Sequence, residues 1–333
     1  MTEISIKNSI FEEEKEKFPY DENALKDFKK VIRDQGINFH MDDIFLLGFL
    51  RARKFDLQRS LQLLKNYFNT RIDYPQYFKN LLPSKLEHVL DMNIMRFLPI
   101  LDQDGCYIYV YQFRNWDTSI ASGVEVLRAI MLVLDFQLNF HRCQEKKIVC
   151  IIDSAGLALT HFYHYFPRVV HSMVTFILKD SYQLRYKDVH FVNLNIIIKA
   201  FLSIMFPLLS SKLQKRFHIH SDMESLHKFV NPDFLPSEYG GNLTDFDSSE
   251  ASNMLKSNEE LFIRNEEYVK LYEEKRNKNF TEGTFRYIRE DAEDEKVKKF
   301  IEKSEEKFQC HADNPEAFIA ALKEDSEFEI THF

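Results

Sequence analysis

Glycine is scarce in this sequence, and its scarcity excludes several kinds of enzyme. Only 8 of the 333 residues are glycine, and apart from Gly240 and Gly241 they are isolated. The sequence contains no GxGxxG, GxxxxGK[ST] or GxSxG motif. Dinucleotide-binding, nucleotide-binding and serine-hydrolase sites need these tight backbone turns, so we expect none of these activities.

Cysteines and long apolar runs are also few. The 4 cysteines, Cys106, Cys143, Cys150 and Cys310, have no CxxC spacing, so we expect reduced thiols and neither a disulfide framework nor a zinc site. No stretch approaches the ~20 apolar residues that cross a bilayer, and the first residues lack the apolar core of a signal peptide. These absences predict a cytoplasmic protein that does not span a membrane.

Large apolar side chains, in contrast, are abundant. The chain has 31 Phe and 15 Tyr and is 44% hydrophobic, enough for a substantial core over about two structural units. The net charge of -8 is unevenly distributed along the chain. Residues 246–333 contain 23 acidic and 14 basic side chains, whereas residues 1–245 contain 29 acidic and 30 basic side chains. Attraction to an anionic membrane must therefore come from a local basic cluster.

The first 90 residues have the apolar spacing of helices. Leu61, Leu64, Tyr67 and Phe68 fall three and four residues apart, which places them on one helix face. Asp42 precedes another apolar segment and suits the cap of a helix. We therefore predict a helical N-terminal part.

From about Ile100 the pattern changes to alternating strands and helices. Short segments rich in β-branched and aromatic residues predict strands at 106–113, 148–153, 189–194 and 216–220. The segments "GVEVLRAIMLVLDFQLNF", "PRVVHSMVTFIL" and Ile196–Leu209 predict helices. This alternation predicts an α/β fold with a mostly parallel sheet flanked by helices.

Two groups of polar residues suggest chemistry without supporting it strongly. Asp153 ends a predicted strand and His161 follows it, but a capping carboxylate and a packed or surface histidine explain this pair better than an acid–base pair. His218 and His220 point to one face of a strand and would be able to share a metal ion. Since no cysteine or carboxylate accompanies them at ligand spacing, we predict no metal site and no cofactor.

Between Asp180 and Gly241 the chain carries "DSYQLRYKDVHFVN", "SKLQKRFHIHS" and "LPSEYGG", and upstream it carries "DDIFLLGFLRARKFDLQRSLQLLKNY". These motifs, in this order, resemble the CRAL-TRIO family of lipid-binding proteins over roughly residues 20–275. Together with the residue patterns, the resemblance divides the chain into an N-terminal helical module at 1–90, a CRAL-TRIO lipid-binding domain at 91–245 and a C-terminal helical extension at 246–278. An acidic charged tail at 279–333 follows, and it has no counterpart in the resemblance.

Four basic residues bracket an apolar segment within these motifs. Lys212 and Arg216 are four residues apart on a predicted helix end, and Arg185 and Lys187 are two apart in an extended segment, so each pair shares one side. The resemblance implies that these positions form a cleft for the phosphates of phosphatidylinositol bisphosphate. The alternative is an ordinary solvated basic face, and we favour the phosphate site.

The resemblance also implies a ligand pocket beneath a lid helix. The expected lid residues are Ile198, Phe201, Leu202, Ile204, Met205 and Leu208. The expected pocket residues are almost all aliphatic, and they are Leu127, Ile130, Leu134, Ile148, Ile152, Val170, Val174, Ile177, Leu178, Val189 and Phe191. Because none of them supplies a hydrogen bond, they suit a hydrophobic molecule. A buried amphipathic helix without a lid function is the alternative.

These features predict a non-enzymatic intracellular carrier that encloses a tocopherol-, retinoid- or lipid-like ligand and exchanges it at phosphoinositide-containing membranes. We expect a monomer that binds no nucleic acid and associates reversibly with anionic membrane surfaces, with endosomal membranes as a candidate. The first alternative is a phosphoinositide-binding adaptor that recruits a partner through its acidic tail. The second is an isomerase or hydrolase that acts on a lipid in the pocket. The identity of the ligand and of the phosphoinositide stays open.

Overall fold

The computed structural model of the protein describes residues 18–161, 186–206, 209, 211–243 and 249–279. The helices before the sheet are α1 (Glu22–Asp34), α2 (Asp43–Ala52), α3 (Leu57–Asp73), α4 (Pro75–Phe78) and α5 (Glu87–Leu90). The strands are β1 (Met95–Leu101), β2 (Tyr107–Gln112), β3 (Ile148–Asp153), β4 (Tyr186–Val192) and β5 (Phe217–Ile219). The later helices are α6 (Gly123–Gln137), α7 (His141–Glu145), α8 (Ile196–Met205), α9 (Ser211–Gln214), α10 (Met223–His227), α11 (Glu250–Ser257) and α12 (Glu259–Asn279).

The N-terminal helices pack around an aromatic core. In α1 the buried residues Leu25, Phe28 and Ile32 are three and four apart, and the Asp21 side chain caps the helix by accepting from two backbone N–H groups. Phe45 of α2 packs in the same buried cluster. The helical N-terminal part predicted from the apolar spacing is present.

The five strands form one sheet in the order β1-β2-β3-β4-β5. Strand β1 runs antiparallel to β2, and the other neighbours are parallel. Helices cover the sheet, and the helical segment precedes it in the chain. The predicted α/β fold with a mostly parallel sheet is therefore confirmed.

Strand β1 was not predicted from the sequence. Its segment "MRFLPIL" contains Pro99, which cannot donate a hydrogen bond to a neighbouring strand. The structure accommodates this proline at the edge of the sheet, where the pairing with β2 is irregular between Phe97 and Leu101. A strand at the edge of a sheet tolerates both the missing donor of Pro99 and the irregular pairing. The pattern of apolar residues in the sequence does not show that this strand lies at an edge.

The two faces of the sheet belong to separate buried clusters. Helix α6 begins with a capping box formed by Ser122 and Glu125, and it packs on one face together with α8. On the other face, Leu226, Leu235 and Tyr239 of the segment after β5 bury the alternate side chains of the strands. The sheet is thus covered on both sides, as parallel strands require.

Helix α12 lies against both halves of the chain. Phe262 packs in the cluster between the sheet and α6, whereas Tyr268 and Tyr272 pack among the N-terminal helices. Tyr272 stacks on Phe68 with ring centroids 4.7 Å apart. The segment predicted as a helical extension therefore joins the two cores. Within the described residues, none of the helices has both the length and the apolar character needed to cross a membrane.

Candidate functional site

One face of the sheet, together with α6, gathers the described members of the predicted pocket into a single apolar cluster. Alternate residues of a strand point to the same face, and α6 supplies side chains three, four and seven residues apart. The members are Leu127, Ile130 and Leu134 of α6, Ile148 and Ile152 of β3, and Val189 and Phe191 of β4. The other predicted pocket residues, Val170, Val174, Ile177 and Leu178, lie outside the described residues.

Helix α8, the predicted lid, lies against this same cluster. Ile198 and Leu202 are four residues apart and only 1% and 4% exposed, while Lys199 is exposed. The helix ends at Met205, earlier than the predicted end at Leu209. The side chains of the remaining predicted lid residues fall outside the part of the chain that the structure describes; they are Phe201, Ile204, Met205 and Leu208.

The amino-terminal end of α8 is fixed by a single asparagine. Asn195 Oδ1 accepts hydrogen bonds from the backbone N–H groups of Ile197 and Ile198, both at 3.0 Å. Its Nδ2 donates to the carbonyl of Leu157 in the loop after β3 at 2.9 Å. Asn195 therefore caps the helix and also ties it to the sheet.

The carboxyl-terminal end of α8 is held by a glutamine. Gln214 Nε2 donates to the carbonyls of Phe206 and Leu209 at 3.1 and 3.2 Å. The ring of Phe206 meets the ring of Phe217 on β5 edge to face, with centroids 6.1 Å apart. Sequence reasoning missed Gln214, because the carbonyls that it satisfies become visible only when the end of the helix is known.

Lys187, a predicted phosphate-binding residue, forms an ion pair with the turn between β1 and β2. Its Nζ lies 2.5 Å from Asp104 Oδ2 and 3.9 Å from Asp102 Oδ2. Partial burial acts to lower the pKa of Lys187, but the hydrogen bond to Asp104 and the charge of Asp102 outweigh it and raise that pKa. The ammonium group is therefore firmly charged and already has an anionic partner.

The other predicted phosphate-binding residues follow the lid. Lys212 is exposed on α9, and Arg216 is half-buried directly before β5. Arg216 Nη1 donates to the carbonyl of Tyr186 at 2.5 Å, which places this arginine beside the start of β4 and hence near Lys187. Arg185 lies outside the described residues.

Further lysines lie at this amino-terminal edge of the parallel strands. Lys146 and Lys147 come directly before β3, and Lys147 is exposed. A Cβ atom on Gly105 would lie 3.3 Å from Lys146 Nζ, so this lysine reaches the same turn that carries Asp104. Sequence reasoning did not include Lys146, Lys147 or Asp104, although basic residues immediately before successive parallel strands are a usable signal because those strand ends share one edge.

The opposite edge of the sheet carries a buried polar network. Asp153 is fully buried and forms an ion pair with Arg114. Its oxygens also accept hydrogen bonds from Asn193 Nδ2 at 2.7 Å and from the Tyr239 hydroxyl at 3.0 Å. These bonds fasten the "LPSEYGG" segment to the ends of β3 and β4. Removing one partner would leave a buried charge poorly satisfied.

His161 does not pair with Asp153 among the described hydrogen bonds. Its Nδ1 accepts from the backbone N–H of Ala158 at 2.9 Å, so its Nε2 carries the proton and donates to the Trp116 carbonyl at 2.9 Å. The ring also packs against the Trp116 ring, with centroids 5.0 Å apart. His161 is thus a packed histidine, and the acid–base pair considered from the sequence is not formed.

Three histidines stack on the face of the sheet opposite the lid. His190 Nδ1 lies 2.9 Å from His220 Nε2, and His218 Nε2 lies 2.9 Å from Asp188 Oδ1. Burial, followed by the charge of neighbouring histidines, lowers the pKa of His190 to about 3 and that of His220 to about 4. Across the described ranges, no three His, Cys, Asp or Glu residues are grouped so that they could hold a metal ion.

Comparison with known proteins agrees with the motifs. The CRAL/TRIO domain family matches residues 91–241 of the chain. The chain is 36% identical over 247 residues to "Alpha-tocopherol transfer protein-like" of Homo sapiens, covering 73% of this chain and 71% of that protein. The protein of the same name from Mus musculus is 37% identical over 225 residues, and the match covers 67% of this chain and 65% of that relative, just under two thirds. Clavesin-2 of Homo sapiens is 34% identical over 222 residues, and the match covers 65% of this chain and 67% of that protein.

Proposed function

This chain belongs to the CRAL-TRIO family, as the sequence motifs indicated, and we propose that it carries a small hydrophobic ligand and exchanges it at phosphoinositide-containing membranes. Family membership supports a role in lipid binding or transfer, and two of the relatives above bear the words "transfer protein" in their names. We further propose that the carrier acts in the cytoplasm as a monomer that binds membranes reversibly. Tocopherols, retinoids and other lipids are the candidate ligands.

The observation that carries the proposal is the apolar cluster between α6, the sheet and α8. Ile198 and Leu202 of α8 pack on the same face as Val189 and Phe191 of β4. Opening α8 would expose this surface to water at about 25 cal/mol per Å² of apolar area, so the closed arrangement is favoured in solution. At a membrane, the same side chains can be buried among acyl chains, and the open arrangement becomes accessible.

The polar residues close to this cluster support a carrier and not an enzyme. Asp153 is bound to Arg114, Asn193 and Tyr239. The nitrogens of His161 are both used in backbone hydrogen bonds. A general acid or base has to be able to reach a substrate proton, and neither side chain is available for that role. We therefore propose that no chemical step takes place in the pocket.

The basic residues near β4 and β5 support the membrane part of the proposal. Lys187, Lys212 and Arg216 follow or precede the lid closely, so phosphates bound there would hold the lid near the membrane. Each such cation contributes about 1 kcal/mol near an anionic leaflet. Together with Arg185, the predicted site provides roughly 4 kcal/mol, which suits reversible docking.

A vesicle-to-vesicle transfer assay tests this function. The protein should move a fluorescent tocopherol from donor to acceptor vesicles, and transfer should be faster when the acceptors contain phosphatidylinositol bisphosphate. The double variant Lys187→Ala with Lys212→Ala should lose most of this acceleration, and raised salt should have the same effect because exposed charges are screened.

The matched control is Lys26→Ala with Lys30→Ala, which removes two exposed lysines from α1. This control should transfer the probe like the wild type. Equal loss in both double variants would mean that overall charge governs docking and would contradict a specific phosphate site. Absence of any transfer with tocopherol, retinoid, fatty-acid and phospholipid probes would contradict the carrier itself.

The adaptor alternative draws on the acidity of residues 246–333, which carry 23 acidic and 14 basic side chains. A chain truncated after Asn279 separates the two functions. A carrier should keep its transfer rate, and an adaptor should lose its partner while still binding phosphoinositide vesicles. Loss of transfer on this truncation would count against the carrier.

A further inference from the structure

The turn between β1 and β2 is built so that a carboxylate meets Lys187. Asp102 organises the turn, because its Oδ1 accepts hydrogen bonds from the N–H groups of Asp104 at 2.9 Å and of Cys106 at 2.7 Å. The backbone closes the turn with a 2.9 Å bond from the Gly105 N–H to the Asp102 carbonyl. Gly105 has a φ of 71°, a left-handed conformation that glycine adopts without strain. The position of Asp104 is therefore fixed by the backbone around it.

The two aspartates of this turn face Lys187 differently. Asp102 is buried, and its Oδ2 lies 3.9 Å from Lys187 Nζ without accepting a hydrogen bond among the described residues. Asp104 is 56% exposed and makes the short contact of 2.5 Å with the same ammonium. An exposed partner can be displaced by another anion more easily than a buried one. Asp104 is thus the exchangeable partner of Lys187.

The surroundings of the turn are basic. Lys146 reaches Gly105 from the start of β3, and Arg216 binds the backbone of Tyr186 beside Lys187. Asp104 consequently projects a negative charge into a region where an incoming phosphate would meet cations. Lys187 Nζ has three donor hydrogens, but a phosphate bound beside this carboxylate would meet a like charge, so the two anions compete for the ammonium.

We propose that Asp104 competes with lipid phosphates for Lys187 and so sets the affinity of the basic site for membranes. This inference rests on the proposed phosphoinositide site. In solution, the carboxylate occupies Lys187 and reduces the positive charge of the site. At a membrane, a phosphomonoester with its larger negative charge and three acceptor oxygens displaces the carboxylate. The result is a site that responds to phosphoinositides without remaining attached to every anionic surface.

The proposal predicts that a neutral residue of the same shape improves binding. Asp104→Asn should bind phosphatidylcholine vesicles containing phosphatidylinositol bisphosphate about fivefold more tightly than the wild type, since one charge near such a surface contributes about that factor. The gain should shrink at high salt. Soluble inositol trisphosphate, measured by calorimetry, should also bind more tightly to Asp104→Asn than to the wild type if the protein recognises the phosphates alone. A gain with vesicles only would locate the competition at the lipid surface.

Asp27→Asn is the matched control, because it removes an exposed aspartate on α1 and changes the net charge equally. It should leave vesicle binding unchanged. In the Lys187→Ala background, Asp104→Asn should bring no gain, since the contested cation is gone. A gain that persists without Lys187, or an equal gain in Asp27→Asn, would overturn the competition and assign the effect to overall charge.

Failure of this inference is distinguishable from failure of the phosphoinositide site. If Lys187→Ala weakens vesicle binding and Asp104→Asn leaves it unchanged, the site stands and the competition is wrong. If neither the wild type nor any of these variants binds phosphoinositide vesicles above the level of plain phosphatidylcholine, both are wrong. A fold check by circular dichroism on each variant assigns the outcome to binding.

Discussion

Asn195 joins the predicted lid to Leu157, because its side-chain amide donates a 2.9 Å hydrogen bond to the Leu157 carbonyl. The same side chain caps the first turn of α8. One residue therefore controls both the order of the helix end and its attachment to the loop after β3. At the other end, Gln214 binds the carbonyls of Phe206 and Leu209.

Replacing this cap should loosen the lid. Asn195→Ala should lower the free energy of unfolding by about 1 kcal/mol, which is typical for loss of an N-cap, and should release bound ligand faster. Asn231→Ala is the control, because Asn231 also caps a short helical turn through its side chain but lies after β5. Stopped-flow release of a fluorescent tocopherol compares the two. Equal release rates in both variants would show that α8 does not govern the exit of the ligand.

The histidine stack predicts a pH-dependent stability. The pKa values of His190 and His220 are lowered to about 3 and about 4 in the folded chain, whereas the pKa of an unfolded histidine is about 6.5. As the pH falls below that value, the unfolded chain takes up protons that the folded chain does not. The free energy of unfolding should therefore fall by about 1 kcal/mol per histidine between pH 7 and pH 5.5.

Urea titrations at several pH values measure this slope. Other charged or titratable groups also act on the histidine stack, and they are His218, Asp188, Lys187 and Asp222. The contribution of one histidine is therefore measured by comparing the pH slopes of variants. His220→Gln should reduce the loss of stability in acid. His40→Gln, at a histidine whose side chain is 83% exposed, should leave the slope as it is. An unchanged slope in His220→Gln would contradict the prediction.

Helix α12 should be required for folding of the N-terminal helices. Tyr272 is 2% exposed and stacks on Phe68, and Arg276 Nη1 lies 2.7 Å from Asp73 Oδ1. Tyr272→Ala should cost about 3–5 kcal/mol, because it leaves a large cavity in a packed core. Tyr272→Phe keeps the ring and should retain most of the stability. If urea denaturation finds Tyr272→Ala as stable as Tyr272→Phe, α12 is only loosely attached.

The sequence predicted those parts of the fold that local patterns encode. The parallel strands β2, β3 and β4 and the helix α6 were read from apolar runs bounded by polar residues, because buried strands and amphipathic helices have characteristic periods. Strand β1 was not predicted, because Pro99 breaks the strand pattern and is tolerated only at the edge of the sheet. The packing of α12 across both cores also escaped, since it depends on contacts between distant segments.

The residues of the candidate site divide in the same way, into those that the sequence indicates and those that only the folded chain reveals. Lys187, Lys212 and Arg216 were predicted because they belong to the motifs that resemble the family and because the spacing within each basic pair is visible in the sequence. Asp104 and Gln214 were not, because their partners lie across a turn or at a helix end that only the folded chain brings near. An aspartate in a "DQDG" turn reads as a turn former. Its contact with Lys187, 83 residues away, follows from the parallel order of the strands.

Enlarging a side chain on each face of the sheet tests whether the pocket exists. Val189 belongs to the cluster beneath α8, and Val149 belongs to the cluster on the opposite face. Val149→Phe should destabilise the fold by about 1–3 kcal/mol, because a packed core resists added volume. Val189→Phe should cost much less in the ligand-free protein, because a ligand pocket has room for the extra atoms. Equal destabilisation, measured by urea titration, would mean that both faces are packed solid.

The most direct test of the carrier proposal is native mass spectrometry of the purified protein, with extraction and identification of any bound lipid. The proposal predicts one equivalent of a hydrophobic molecule per chain, or uptake of one from a panel of tocopherols, retinoids, fatty acids and phospholipids. Binding should raise the thermal midpoint of unfolding through linkage. Val189→Phe should abolish ligand binding, whereas Val149→Phe should retain it. A protein that carries no lipid, takes up none and shows no thermal shift across the panel would contradict the proposal.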